Sequence, residues 1–111
     1  MKIPFQITDW EEIPAAEHAG ITGAAWWKTI ELQGLRIRVV EYSANYKADH
    51  WCEIGHVIFC LEGEMDTELS DGRTLKLSKG MSYLVSDGLS SHRTSSAGGV
   101  KLFIVDGDFL K

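Results

Sequence analysis

The sequence predicts an all-β domain of the sandwich or barrel kind. Three observations carry this. From Ala24 onward, short runs rich in β-branched and aromatic residues recur along the chain. Gly-containing turns separate them at short, regular intervals. The run Leu35–Tyr42 alternates apolar and charged residues at its start, the mark of a half-buried strand. At 111 residues the chain is one domain by size, with room for one core but not two.

The elements follow in order. Ile3, Phe5 and Ile7 alternate, which predicts a short N-terminal strand. Trp10–Pro14 and Glu17–Gly20 read as short turns. Trp26–Leu32 is a strand that stops at Gln33-Gly34, and Leu35–Tyr42 is its return. After the stretch 49–63, Glu64–Leu69 and Thr74–Leu77 form a hairpin, because Asp71-Gly72 supplies the positive φ that a tight turn needs. Met81–Val85 is a strand, His92–Ser95 a weaker one, Ala97-Gly98-Gly99 a loop and Lys101–Val105 the last strong strand. Residues 1–29 are expected to form an irregular N-terminal segment of the same domain and a dimer contact, with residues 30–111 as the barrel. No internal repeat or linker interrupts the chain.

Composition excludes several functions. A net charge of -5 without a basic cluster argues against gripping nucleic acid through its phosphates or docking on an anionic membrane. Met1–Gln6 has no apolar run behind it and is not a signal peptide, so a cytoplasmic location is expected. Two cysteines in that compartment are more often thiols or ligands than a disulfide.

Chemistry concentrates in the stretch from Asp49 to Gly63. His50, Cys52 and His56 are transition-metal donors spaced H-x-C-x3-H around a break at Glu53-Ile54-Gly55. A hairpin at that break sets His50 opposite Ile58. His50, Cys52, His56, Ile58 and Cys60 then share one face, and Trp51, Val57, Phe59 and Leu61 share the other. The second face needs a cover; a homodimer is favoured, with the N-terminal segment as the intrachain alternative. Cys52 and Cys60 would lie roughly 13 Å apart along the sheet, too far for a disulfide.

These residues resemble the cupins. The first cupin motif reads G-x5-H-x-H-x3,4-E-x6-G, and this chain reads His50-x-Cys52-x3-His56-x6-Gly63 with Ala44 in place of the leading Gly. The second motif, G-x5-P-x-G-x2-H, corresponds to Gly80, Gly88 and His92, with Ser86 in place of Pro and one extra residue before His92. The chain is especially similar to bacterial cupins named for an Asp-His-Cys-Trp motif, although its own order is Asp49-His50-Trp51-Cys52. The resemblance implies a double-stranded β-helix, a jelly-roll barrel, with a metal held inside one mouth by His50, Cys52, His56 and His92. Cys52 replaces the usual second His and His56 the usual Glu. That exchange favours zinc, with iron or nickel as alternatives. Four protein ligands would close the site; three would leave a position open for chemistry.

Each residue also has a plainer reading. Cys52 could be a small buried hydrophobe or a thiol nucleophile activated by His50 or His56. Tyr42, Tyr46, Ile58, Cys60, Tyr83 and Arg93 are candidate pocket residues, Arg93 for an anion, though Cys60 and the tyrosines also suit the core. One of Trp26 and Trp27 can reach the pocket. Arg36 and Arg38, alternating with apolar residues, read as a solvated face. His18 reads as a surface residue, and Asp49 as a partner behind the ligands. No catalytic base is evident. Three functions fit: a metal-dependent oxygenase, isomerase or lyase acting on a small organic molecule; a non-catalytic metal or small-molecule binder or sensor; and a pocket-binding domain with Cys52 as a redox thiol.

Overall fold

A computed structural model describes residues 2–111. Seven antiparallel strands account for most of them: β1 (Ala16–Ala19), β2 (Ala24–Leu32), β3 (Leu35–Lys47), β4 (His56–Leu69), β5 (Thr74–Ser78), β6 (Ser82–Val85) and β7 (His92–Gly107). They form one sheet in the order β1-β2-β3-β7-β4-β5, with β6 also paired to β4. The sheet folds over a core of Val40, Ile58, Cys60, Met65, Leu77, Val100, Leu102 and Ile104, with Trp27, Tyr42 and Tyr83 packed against it. No strand pairing among the described residues closes it into a full barrel. This is an all-β jelly roll. No helix among the described residues is long and apolar enough to cross a membrane.

Several sequence expectations change. The alternating Ile3, Phe5 and Ile7 form no strand and stand exposed, since their segment pairs with no sheet edge. Trp10–Glu12 is a short 3₁₀ turn capped by the Asp9 side chain. Glu17-His18-Ala19, expected as a turn, lies in β1 against β2. The 29/30 boundary falls inside β2.

The largest change is in β7, where Ala97-Gly98-Gly99 is not a loop. Between the pairs Gly63–Val100 and Asp66–Ser95, β7 carries two more residues than β4, so it bulges instead of breaking. Ser96, buried, stitches the bulge: its Oγ donates to the Glu64 carbonyl at 2.7 Å and accepts from the Gly99 N–H at 3.0 Å. Gly63 sits opposite with φ 77°, where a Cβ would collide with the Gly99 carbonyl.

The hairpin centred on Glu53-Ile54-Gly55 does not form. Over Val57–Phe59, one edge of β4 is taken by β6 and the other by β7, so no edge remains for residues 49–52. His50 accordingly does not face Ile58. Residues 48–55 instead form a loop pinned along its length. The Ala48 N–H donates to the Thr94 carbonyl, Cys52 and His92 exchange both backbone hydrogen bonds, and the Gly88 N–H donates to the Glu53 carbonyl. The Gly55 N–H donates to Asp87 Oδ1.

Candidate metal centre

The Cys52–His92 bridge is what assembles the centre. Residues directly opposed in an antiparallel pair project to the same side, so the loop delivers Cys52 beside the first residue of β7. His56 is the first residue of β4, on the inward face it shares with Ile58 and Cys60. One donor atom from each of Cys52, His56 and His92 lies within 4.8 Å of the others. Both histidines are buried.

Hydrogen bonding decides which ring nitrogen each histidine offers. His92 Nδ1 lies 3.0 Å from the Ser90 carbonyl, which can only accept, so the proton is on Nδ1. His92 Nε2 is buried with no hydrogen-bond partner among the described residues. His56 Nδ1 likewise donates to Asp106 Oδ2 at 3.0 Å, leaving Nε2 3.6 Å from Cys52 Sγ. Metal-binding histidines are held this way, one nitrogen anchored on a carbonyl or carboxylate and the other presented.

Charge supports the arrangement. Burial pushes the Cys52 thiol up more than any one contact lowers it, but His56, His92 and the Ile54 backbone together outweigh it and bring it down to about 5. Burial lowers His56, and its bonds to Asp106 and Cys52 more than restore it. Burial also pushes Asp106 up, yet His56 and Arg36 hold its carboxyl well below the ordinary range. Asp106 accepts from Arg36 through both oxygens and from Arg38 Nη2 at 2.9 Å.

The predicted site residues separate into two groups. Cys52, His56 and His92 come together. His50 does not join them: its side chain is largely exposed, bonds Asp49 Oδ1 through Nδ1, and stands at the rim of the adjoining cavity. Tyr42, Tyr46, Ile58 and Tyr83 line that cavity, with Tyr42 and Tyr46 stacked at 4.2 Å. Cys60 does not line it; the thiol is fully buried in the core and donates to the Glu62 and Gly63 carbonyls. Arg93 is also elsewhere, paired with Glu68 at 2.8 Å and lying over the Trp51 ring. Both cysteines are free thiols. His18 is exposed and packs on Trp27 at 4.0 Å.

Arg36 and Arg38 correct the solvated-face reading: both line the cavity, and Arg38 is buried. The outward side chains alternating with them, Ile37 and Val39, are partly buried, so the alternation has its polar half inside. Asp106 was not anticipated. Its signal is parity, since it continues the inward series Leu102, Ile104, Asp106.

No protein-family profile matches the chain, nor does any curated protein at significant similarity. Solved structures do match. A predicted oxalate decarboxylase from Thermotoga maritima superposes with a TM-score of 0.78 at 11% identity, over 93% of this chain and all of that one. Ectoine synthase from P. lautus gives 0.73 at 17% identity, over 93% of this chain and 78% of that one. The iron(II) form of HppE with an alternative substrate gives 0.75 at 18% identity, over 92% of this chain and 60% of that one. The chain has the cupin fold. Within that cupin fold, the Cys52–His56–His92 group sits at the first and second motif positions identified in the sequence. One of these solved neighbours, HppE, holds iron(II).

Proposed function

We propose that this cupin holds a divalent transition metal on Cys52, His56 and His92 and uses the adjoining cavity to bind, and act on, a small organic molecule. The observation that carries the reading is the buried, unpartnered Nε2 of His92 beside His56 Nε2 and Cys52 Sγ. One thiolate and two imidazoles favour zinc, with iron or nickel as alternatives. With His50 at the rim, three protein donors leave a coordination position for water or a substrate oxygen, the arrangement of a reactive rather than a purely structural site. The metal would supply Lewis acidity; the chain's own part is to orient the ligands through Asp106 and Ser90.

Elemental analysis of protein purified without added metal tests this. About one zinc per chain is expected. No bound metal, together with unaltered thermal stability in His56→Ala and His92→Ala, would overturn it.

One observation favours a second reading. Cys52, His56 and Asp106 are linked in sequence at 3.6 and 3.0 Å, so in the metal-free protein His56 can take the thiol proton and Asp106 can steady the resulting imidazolium. Cys52 would then serve as a redox or nucleophilic thiol in a binding or sensing protein. Iodoacetamide separates the two: a metal ligand is alkylated only after chelator treatment, whereas a free thiolate reacts without it. A cytoplasmic homodimer completes the proposal, and the run Asp49–Cys52 supports kinship with the Asp-His-Cys-Trp cupins.

A further inference from the structure

Apart from the Cys52 thiolate among the metal donors, the cavity is walled by charge of one sign. Arg36 and Arg38 line it, and no acidic side chain among the described residues does. Asp106 lies behind that wall and bonds both guanidinium groups, so one carboxylate answers two cations. A divalent ion on a thiolate and two neutral imidazoles would enlarge the positive surplus. Arg38 is 5% exposed, yet its Nε has no hydrogen-bond partner among the described residues. The ring of Trp27, another cavity residue, lies 4.6 Å from Arg38 Cζ, and the buried Nε1 of that indole is also without a partner. Buried N–H groups are nearly always paired, because leaving one without an acceptor is costly. Two such donors on stacked side chains, in a wall with surplus positive charge, call for an acceptor that is also an anion.

We infer that Trp27 and Arg38 form a carboxylate-binding subsite and that the molecule taken up beside Cys52, His56 and His92 is a small organic acid. The cavity measures about 180 Å³, the room of roughly six waters at about 30 Å³ each. An acid of a few carbons fits that room. The stacked rings of Tyr42 and Tyr46 and the side chain of Ile58 supply its apolar walls. The inference rests on the proposed metal reading only for what the acid's other end meets; the subsite itself stands on Trp27 and Arg38.

Calorimetric titration of the protein as purified with L-lactate, lactamide and inorganic phosphate tests it, with metal content measured on every sample. Lactate is expected to bind, and neutral lactamide about tenfold or more weaker, the loss of one charge-assisted hydrogen bond. Arg38→Gln should weaken lactate by a similar factor. Trp27→Phe removes one N–H while keeping an aromatic ring beside Arg38 and every hydrogen bond of Asp106, and should weaken lactate several-fold at unchanged metal content. If Arg38→Gln fails to fold, lactamide and Trp27→Phe still decide. Equal affinity for lactate and lactamide, undiminished binding in either folded variant, or a preference for phosphate would overturn the subsite. The two readings fail separately. A metal-loaded protein that ignores lactate loses only the subsite, and a metal-free protein that binds lactate through Arg38 loses only the metal.

Discussion

Asp106 joins the two halves of the site, since its carboxylate accepts from His56 Nδ1 on one side and from Arg36 and Arg38 on the other. Replacing it by Asn keeps the shape but removes the charge that fixes the His56 tautomer. Loss of such a partner costs about 10–100-fold in metal affinity, so Asp106→Asn should show that loss in a zinc competition titration against a chromogenic chelator; wild-type affinity would falsify the role. The same carboxyl sets a pH dependence. Its pKa is depressed on folding, so its contribution to stability is complete above the ordinary carboxylate range and is lost as pH falls through the lowered value. Cys52 behaves alike at higher pH. Burial raises it, and His56, His92 and the Ile54 backbone together more than offset that, to about 5. In metal-stripped protein the Cys52 alkylation rate should therefore stay nearly level from about pH 8 to about pH 6 and fall only near 5. Cys60, raised by burial, should stay inert. A midpoint above pH 8 for Cys52 would refute the His56 contact. Cys52, His56 and His92 were legible because ligand identity and motif spacing are local to the sequence. Asp106 and Arg38 were harder, because a charged residue alternating with apolar ones ordinarily faces water. Here Arg36 and Arg38 turn inward beside Val40 and pair with Asp106, which only the fold decides.

Among the elements, the loop 48–55 depends on its neighbours for shape, since it belongs to no strand and is held through Thr94, His92, Gly88 and Asp87. A metal on Cys52, His56 and His92 would tie that loop to the starts of β4 and β7. Chelation should accordingly raise amide hydrogen exchange in residues 48–55 while leaving the paired middle of β3 unchanged; equal exchange with and without chelator would mean the loop needs no metal. The parity of His56, Ile58 and Cys60 was readable from alternation, whereas the turn before them was not. An apparent hairpin break requires a free strand edge, and β6 and β7, distant in sequence, occupy both. The Gly98-Gly99 pair misled for a related reason: two glycines signal a chain reversal or a bulge equally well, and only pairing with β4 distinguishes them. Ser96 is the residue on which that bulge depends. Ser96→Ala leaves the Glu64 carbonyl and the Gly99 N–H without their shared partner, so a loss of about 1–3 kcal/mol is expected, read from urea denaturation at constant m. A change under about 0.5 kcal/mol would mean that Gly63 and the strand pairing alone hold the bulge.

Across the whole molecule, the outward side of the sheet carries two apolar rows. Val39, Phe103 and Phe59 are successive partners across β3, β7 and β4. Ile37, Val105, Val57 and Leu84 run beside them from β3 to β6. Trp10 packs edge-on against Phe103 at 6.3 Å, so the N-terminal segment covers the β3–β7 side. The β4–β6 side lacks that cover: Phe59 is 41% and Leu84 71% exposed. Both covers expected from the sequence, the chain's own N-terminus and a second copy, thus have a half of the face to fill. A second copy meeting the open half would align like rows on like, as a two-fold interface requires. Phe59→Glu with Leu84→Glu should then convert a wild-type dimer into a monomer in sedimentation velocity, because each charge would be buried against its own copy without a partner. Both positions lie outside the core, so the far-UV spectrum should not change, and the metal should remain bound. Wild-type protein that sediments as a monomer at about 100 μM, a thousandfold above the Kd of a tight 100 nM dimer, would instead mean that Phe59 and Leu84 are simply tolerated in water.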